Sequence, residues 1–317
     1  MPPVNPSNEG SACRTLQSLH DDPPLSRLAE HLSQHDAGEC SQSQGDGGFA
    51  LPSDANRPVQ RFDFPSVQVY LLSPFRVFVD DQPIDEWPNC KGRSIFKYMA
   101  IRRGQPVPRE VLMAVFWPEA DQDAARNNLN VAIHGLRKAL ARATSEFPFV
   151  LFRQGCYSFN SLLRIWVDAE AFERDIEQAQ EADRLGETVN AVAHYRQAQA
   201  TYHSALLVDD RYEDWLIPKR QSLQTSYRHV LSRLATHYLS QDDFEACAGT
   251  TRKMIEVDNC DEEAHRQLMR CYSRLGHTQL ALRQYHFCVD ALARELSTIP
   301  SPHTVALFHQ LRRHEAA

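Results

Sequence analysis

Five polar side chains share one face of a single helical segment: Asn127, Asn130, His134, Arg137 and Lys138. With Leu129 set at zero and about 100° per residue, Leu136, Leu140 and Ile133 fall within about 40° of it. The five polar residues, with Ala141, occupy the opposite arc, from about 80° to 180°. That arc holds no acid. An Asn amide pairs bidentately with adenine, and an Arg guanidinium with guanine, in the major groove; Lys and Arg also neutralise phosphates. A solvated surface helix ordinarily mixes Glu and Asp among its bases, and their absence over five turns favours phosphate or base contacts. Arg126, at about 60° on the wheel, lies nearer the core edge and either braces the fold or reaches a phosphate.

Other candidate chemistry is thinner. His31 and His35 are spaced i,i+4 with Cys40 nearby, a pattern that could share a metal, although a polar tail often carries unused His. The eight cysteines contain no C-x-x-C, and no close Cys pair flanks a His pair, so they read as reduced thiols, with Cys271 and Cys288 in helical cores. His203, Ser204, Asp209 and Asp210 are close in sequence, but no Gly-rich nucleophile turn accompanies them. No G-x-x-x-x-G-K-[ST] occurs. No metal, cofactor or catalysis is expected.

The whole-chain charge at first opposes a nucleic-acid partner: 317 residues carry a net −7. Resolved along the chain, the picture changes. Residues 1–65 hold four Arg and nine acids, a net of −5, and residues 168–317 hold seventeen bases and twenty-three acids, a net of −6. Between them, residues 66–167 hold thirteen bases and nine acids, and within these residues 87–145 reach +6. Mean hydropathy is −0.48 and no apolar run is long enough for a membrane span, so a cytoplasmic protein is expected, without membrane partner or signal peptide.

Elements must now position the polar face. Residues 1–65 are rich in Pro, Ser and Gly and are expected to be a disordered tail, with a short helix around Leu25–Leu32 as the exception. Residues 67–72 and 75–79 read as strands of a small antiparallel sheet. A helix over 92–102 buries Ile95, Phe96, Met99 and Ala100; a second carries Val111, Leu112, Val115 and Phe116 and stops at Trp117-Pro118. After the third helix, Phe149–Phe152 and Tyr157–Phe159 form a hairpin with Arg153-Gln154-Gly155 at its bend. Sheet, three helices and hairpin over 66–165 are the layout of a winged helix-turn-helix domain.

Residues 166–317 repeat. Leu234 and Tyr238 recur 34 residues later as Leu268 and Tyr272; Asp242 matches Gly276, and a third copy starts at Gly186. This period is the tetratricopeptide signature, broken by an insert around Asp209–Pro218; an irregular helical bundle is the alternative. Tyr195, Tyr238, Tyr272 and Tyr285 recur at repeat positions as packing residues or, alternatively, as a ligand-sensing set. The expected fold class is α+β, mostly α: a winged helix-turn-helix domain followed by an all-α tetratricopeptide-like helical-repeat domain.

The stretch 123–140, DAARNNLNVAIHGLRKAL, resembles the recognition helix of the antibiotic-regulatory-protein type of bacterial transcriptional activators. Residues 71–84 and 106–121 resemble that family's opening sheet and second helix. Residues 213–220, 260–288 and 301–308 resemble its bacterial transcriptional activator domain. The resemblance covers roughly 67–313. It implies an OmpR-like winged helix on an all-α activation domain, binding to direct repeats on double-stranded DNA, a homodimer on DNA, and recruitment of RNA polymerase holoenzyme. By position it places Asn127, Asn130, His134, Arg137 and Lys138 in the major groove and Arg153 on the wing near the minor groove, with Arg126 and Arg142 completing the DNA-binding set. Gly135 departs from the pattern, at a cost of about 1 kcal/mol relative to Ala, and the turn Gly155-Cys156 is less polar than the family's usual wing. The competing function is a tetratricopeptide-type adaptor whose winged helix docks a protein.

Overall fold

The alternation of Val67 and Val69 with polar neighbours builds β1 (Ser66–Tyr70), whose apolar positions are buried and whose others are half-exposed. It pairs antiparallel with β2 (Arg76–Val79) in the register Val67↔Val79 and Val69↔Val77. Asp80 and Asp81, at φ 45° and 62°, then turn the chain into β3 (Gln82–Pro83); paired positive φ values suit the twist of a two-residue hairpin. The computed structural model describes residues 64–141, 147–210 and 212–315. The expected tail, its short helix, the His31/His35 pair and Arg142 lie outside these residues.

The sheet is mixed rather than antiparallel. β7 (Arg164–Val167) joins it parallel to β1, giving the order β3-β2-β1-β7. Parallel neighbours require a long crossover, and here the crossover is the whole three-helix segment. The first helix, α1 (Cys90–Ile101), is capped by Asn89, whose side chain accepts from the amides of Lys91 and Gly92. Its expected stripe of Ile95, Phe96, Met99 and Ala100 is buried, and so are Lys97 and Tyr98. Val107 and Pro108 form β4, a strand the sequence reading missed, before α2 (Arg109–Phe116). In α2 the buried residues are Leu112, Met113 and Phe116, whereas Val111 is exposed. The third helix, α3 (Gln122–Ala141), leads on to β5 (Val150–Arg153) and β6 (Cys156–Phe159), and β4, β6 and β5 make a second sheet in that order.

No linker separates this part from the helices that follow. Val167 ends β7 and Asp168 begins α4 (Asp168–Arg184), so the expected border between residues 165 and 166 falls within a strand. The buried Asp168 carboxylate accepts from the amides of Leu71, Leu72 and Ala169 at 2.7–2.8 Å. Burial pushes its pKa up, against the lowering effect of those three N–H groups.

Helices α4 and α5 (Thr188–Thr201), α6 (Ile217–Ser240) and α7 (Phe244–Val257), and α8 (Glu262–Arg274) and α9 (Thr278–Leu296) form three successive hairpins, followed by α10 (Pro302–Glu315). Each hairpin turns the same way. Gly186, Asp242 and Gly276 are left-handed, at φ 76°, 54° and 77°. The next residue in each case donates its amide five residues back: Glu187 to Ala182, Asp243 to Tyr238 and His277 to Tyr272. This is the Schellman closure, which satisfies carbonyls a helix end would leave unpaired. The repeat tyrosines pack: Tyr195 is buried and donates to Asp183, and Tyr285 stacks on Phe308 with centroids 4.1 Å apart.

The segment after α5, together with the insert that breaks the repeat, fills the space between the two halves. The amides of His203 and Ser204 bind the Leu72 carbonyl, and that of Leu207 binds Leu71. Trp215 lies edge-on to Tyr98 and Phe116. Asp210 accepts from Lys97 at 2.6 Å, and Glu170 pairs with Arg103. One continuous apolar core therefore runs from Val67 through α1–α3 to Ala264.

Candidate nucleic-acid interface

Helix α3 starts where Asp121 accepts from the Ala124 amide at 2.8 Å, with Asp123 in the first turn and Lys138 in the last. Acids at the amino end and a base at the carboxyl end both complement the helix dipole. Its inner face, Ala125, Leu129, Ala132, Ile133, Leu136, Ala139 and Leu140, is buried. Close approach to α1 depends on Gly92: a Cβ there would lie 2.7 Å from the Ala132 carbonyl oxygen. Gly135 has a similar origin, since a Cβ on it would meet the Asn89 Cβ at 3.0 Å. The expected departure at Gly135 thus makes room for the residue that caps α1.

The outer face of α3 presents Asn127, Asn130, His134, Arg137 and Lys138, all exposed. Two further exposed residues were missed, Asn128 and Val131, the latter 63% exposed. Both continue the same arc past 180° on the wheel, and Val131 was obscured by its apolar type. Arg137 is already engaged: its Nε and Nη2 donate to the Val150 carbonyl at 3.2 and 2.9 Å, tying α3 to the wing. Arg153 is exposed at the end of β5, ahead of the left-handed Gln154 and Gly155.

Arg126 pairs with Asp123 at 3.5 Å, while its Nε is sealed from solvent without a hydrogen-bond partner. It faces a cleft of about 400 Å³ between α3 and the wing, together with Asn130, His134, Arg137, Phe152 and Tyr157. Arg109, which the sequence reading did not single out, also lines this cleft from the start of α2. Burial pushes the Tyr157 hydroxyl up, opposed by Arg137 and Arg109, so it remains a neutral donor at neutral pH. Among the described residues, no group of three or more His, Cys, Asp and Glu could hold a metal, and no helix is long and apolar enough to cross a membrane. The sequence cluster near His203 has other duties: Asp210 holds Lys97, and Ser204 Oγ donates to the Ala205 carbonyl.

A winged three-helix unit on stacked helical hairpins defines a class, the winged-helix regulators with a helical-repeat domain. Residues 167–312 match the family model described as the bacterial transcriptional activator domain, and residues 89–155 match that of the C-terminal domain of transcriptional regulatory proteins. These two matches, in this order, make the chain a transcription regulator and agree with its resemblance to the antibiotic-regulatory-protein type of bacterial transcriptional activators. Among solved structures, Mycobacterium tuberculosis EmbR in complex with a low-affinity phosphopeptide shares the fold, with TM-score 0.61 and 20% identity over 79% of this chain. This chain spans 66% of the EmbR chain's length. The C-terminal TPR-containing domain of a Plasmodium falciparum FK506-binding protein aligns with TM-score 0.33 and 15% identity, over 47% of this chain and 91% of that one. A comparison with curated proteins returns no significant match.

Proposed function

We propose that the protein binds double-stranded DNA in a sequence-specific manner and activates transcription by recruiting RNA polymerase holoenzyme to the promoters it occupies. The observation that carries this reading is the outer face of α3: Asn127, Asn130, His134 and Lys138 stand exposed beside a wing that carries Arg153. Asn side chains have the donor and acceptor pair that adenine requires, and an exposed Val131 adds an apolar surface for a thymine methyl group. Lys138 and Arg153 supply phosphate contacts, which fix register without reading sequence. Two copies on direct repeats would place two α3 helices in successive major grooves about one helical turn apart.

The test is fluorescence anisotropy on a duplex from the chain's own upstream region, repeated over a salt series. Affinity is expected to fall linearly on a log–log plot against salt as counterions are released. Absence of any anisotropy rise at low salt would instead favour the adaptor reading, in which the winged unit docks a protein. Footprinting would return the operator and its repeat spacing.

A further inference from the structure

The cleft between α3 and the wing brings together three guanidinium groups from two helices. Arg109 opens α2; Arg126 and Arg137 stand three turns apart on α3. None of the three is committed to a buried carboxylate. Arg109 donates through Nε and Nη2 to the Glu110 carboxylate at 3.2 and 3.0 Å, and Arg126 lies 3.5 Å from that of Asp123. Those two acids are 60% and 88% exposed, and ion pairs so exposed contribute little to stability. A guanidinium can leave them for a better acceptor at small cost. The Arg126 Nε also lacks a hydrogen-bond partner within the protein, although the side chain as a whole is 42% exposed. The walls are Ile133, Phe152 and Tyr157. Apolar walls lower the local dielectric and strengthen any charge pairing between them.

We infer that this cleft seats one phosphodiester group of the DNA backbone, with Arg109 and Arg126 as its principal donors. A phosphate matches the planar fork of an arginine, which offers two parallel N–H groups. The source is DNA rather than free phosphate because Asn130 and His134, on the outer face of α3, also line the cleft. A duplex read by that face would carry its backbone past the opening. The inference rests on the DNA-binding reading and deepens it, since the seat would hold α3 in register while reading no base.

The experiment measures affinity of the full chain for an operator duplex and for a scrambled duplex of equal length, between 50 and 200 mM salt, roughly the range over which phosphate contacts are resolved. Arg109→Gln and Arg126→Gln are each expected to weaken both duplexes by about tenfold and to lower the salt slope by about one unit. Glu110→Gln, which releases Arg109, is expected to tighten both duplexes. It also keeps the test informative if an arginine variant folds poorly, which circular dichroism would reveal. Unchanged affinity and slope in both arginine variants, with wild type binding normally, would overturn the seat and leave the DNA reading intact. A loss confined to the operator would make these residues base readers and also overturn it. Wild type that binds neither duplex would sink the DNA reading and the seat together. In a parallel arm, inorganic phosphate is compared with chloride at equal ionic strength. A phosphate-specific rise in melting temperature that Arg126→Gln abolishes, with DNA affinity unchanged, would assign the cleft to a free anion instead.

Discussion

Helices α1 and α3 belong to the same winged unit and both carry Lys and Arg, yet they use them in opposite ways. On α1 and the turn that ends it, Lys97 is 2% exposed and paired with Asp210, Arg103 is paired with Glu170, and Arg93 and Arg102 lie over the rings of Phe75 and Tyr98. On α3, His134 and Lys138 point outward. The first set of cations serves the protein's own acids and aromatic rings; Arg126 and Arg137 of α3 also serve its own groups in part, whereas Lys138 has no such partner among the described residues and stands exposed. A basic segment is therefore not a basic surface, and the +6 of residues 87–145 overstates the charge available to DNA.

The largest expected effect breaks the α1 side of this comparison. Asp210→Ala would strand the buried Lys97 ammonium and is expected to cost about 3 kcal/mol in urea denaturation. Lys97→Met combined with Asp210→Leu should be close to neutral, since a buried pair and a packed apolar pair have similar worth. Equal losses in the single and the double variant would show that the pair has no special role. Next comes the α3 side. Asn130→Ala is expected to reduce discrimination between the operator and a single-base variant by about 2 kcal/mol, with stability within about 0.5 kcal/mol of wild type.

Arg137 and Lys138 then separate two kinds of exposed cation. Arg137→Ala should lower both DNA affinity and stability, the latter by about 1 kcal/mol for its bonds to Val150. Lys138→Ala should lower affinity alone. The smallest effect is a slope. Burial holds the Lys97 pKa below 10.5 despite the pull of Asp210. Between the folded value and 10.5 the unfolded chain binds more protons, so stability rises with pH across that window. Thermal melts of Lys97→Met should lack this rise.

Much of the polar face of α3 was legible because helical periodicity is local. The buried stripe of α3 and its polar arc follow from 100° steps, and the turn residues Gly186, Asp242 and Gly276 announced three hairpins. What stayed hidden was made by distant chain. Lys97 points away from the apolar stripe of α1, so a wheel places it in solvent; it is buried against Phe75 and against Asp210, more than a hundred positions later. β7 is only four residues long, and its parallel pairing with β1 spans nearly a hundred residues. Arg109 escaped notice because its cleft is built jointly by α2, α3 and the wing. The insert at Asp209–Pro218 interrupts the repeat, and its Asp210 and Trp215 pack against Lys97, Tyr98 and Phe116 of the winged unit.

The direct run of β7 into α4, pinned by Asp168 to the amides of Leu71 and Leu72, leaves no swivel. On the DNA-binding reading proposed above, with α3 seated in a groove, the compass bearing of the helical domain around the duplex would be set by where along the DNA it sits. Moving the site by half a turn, about 5 bp, would swing α4–α10 to the far side of the double helix. Moving it by a whole turn would restore the bearing. On that reading, a protein built this way would feel distance along DNA as an angle.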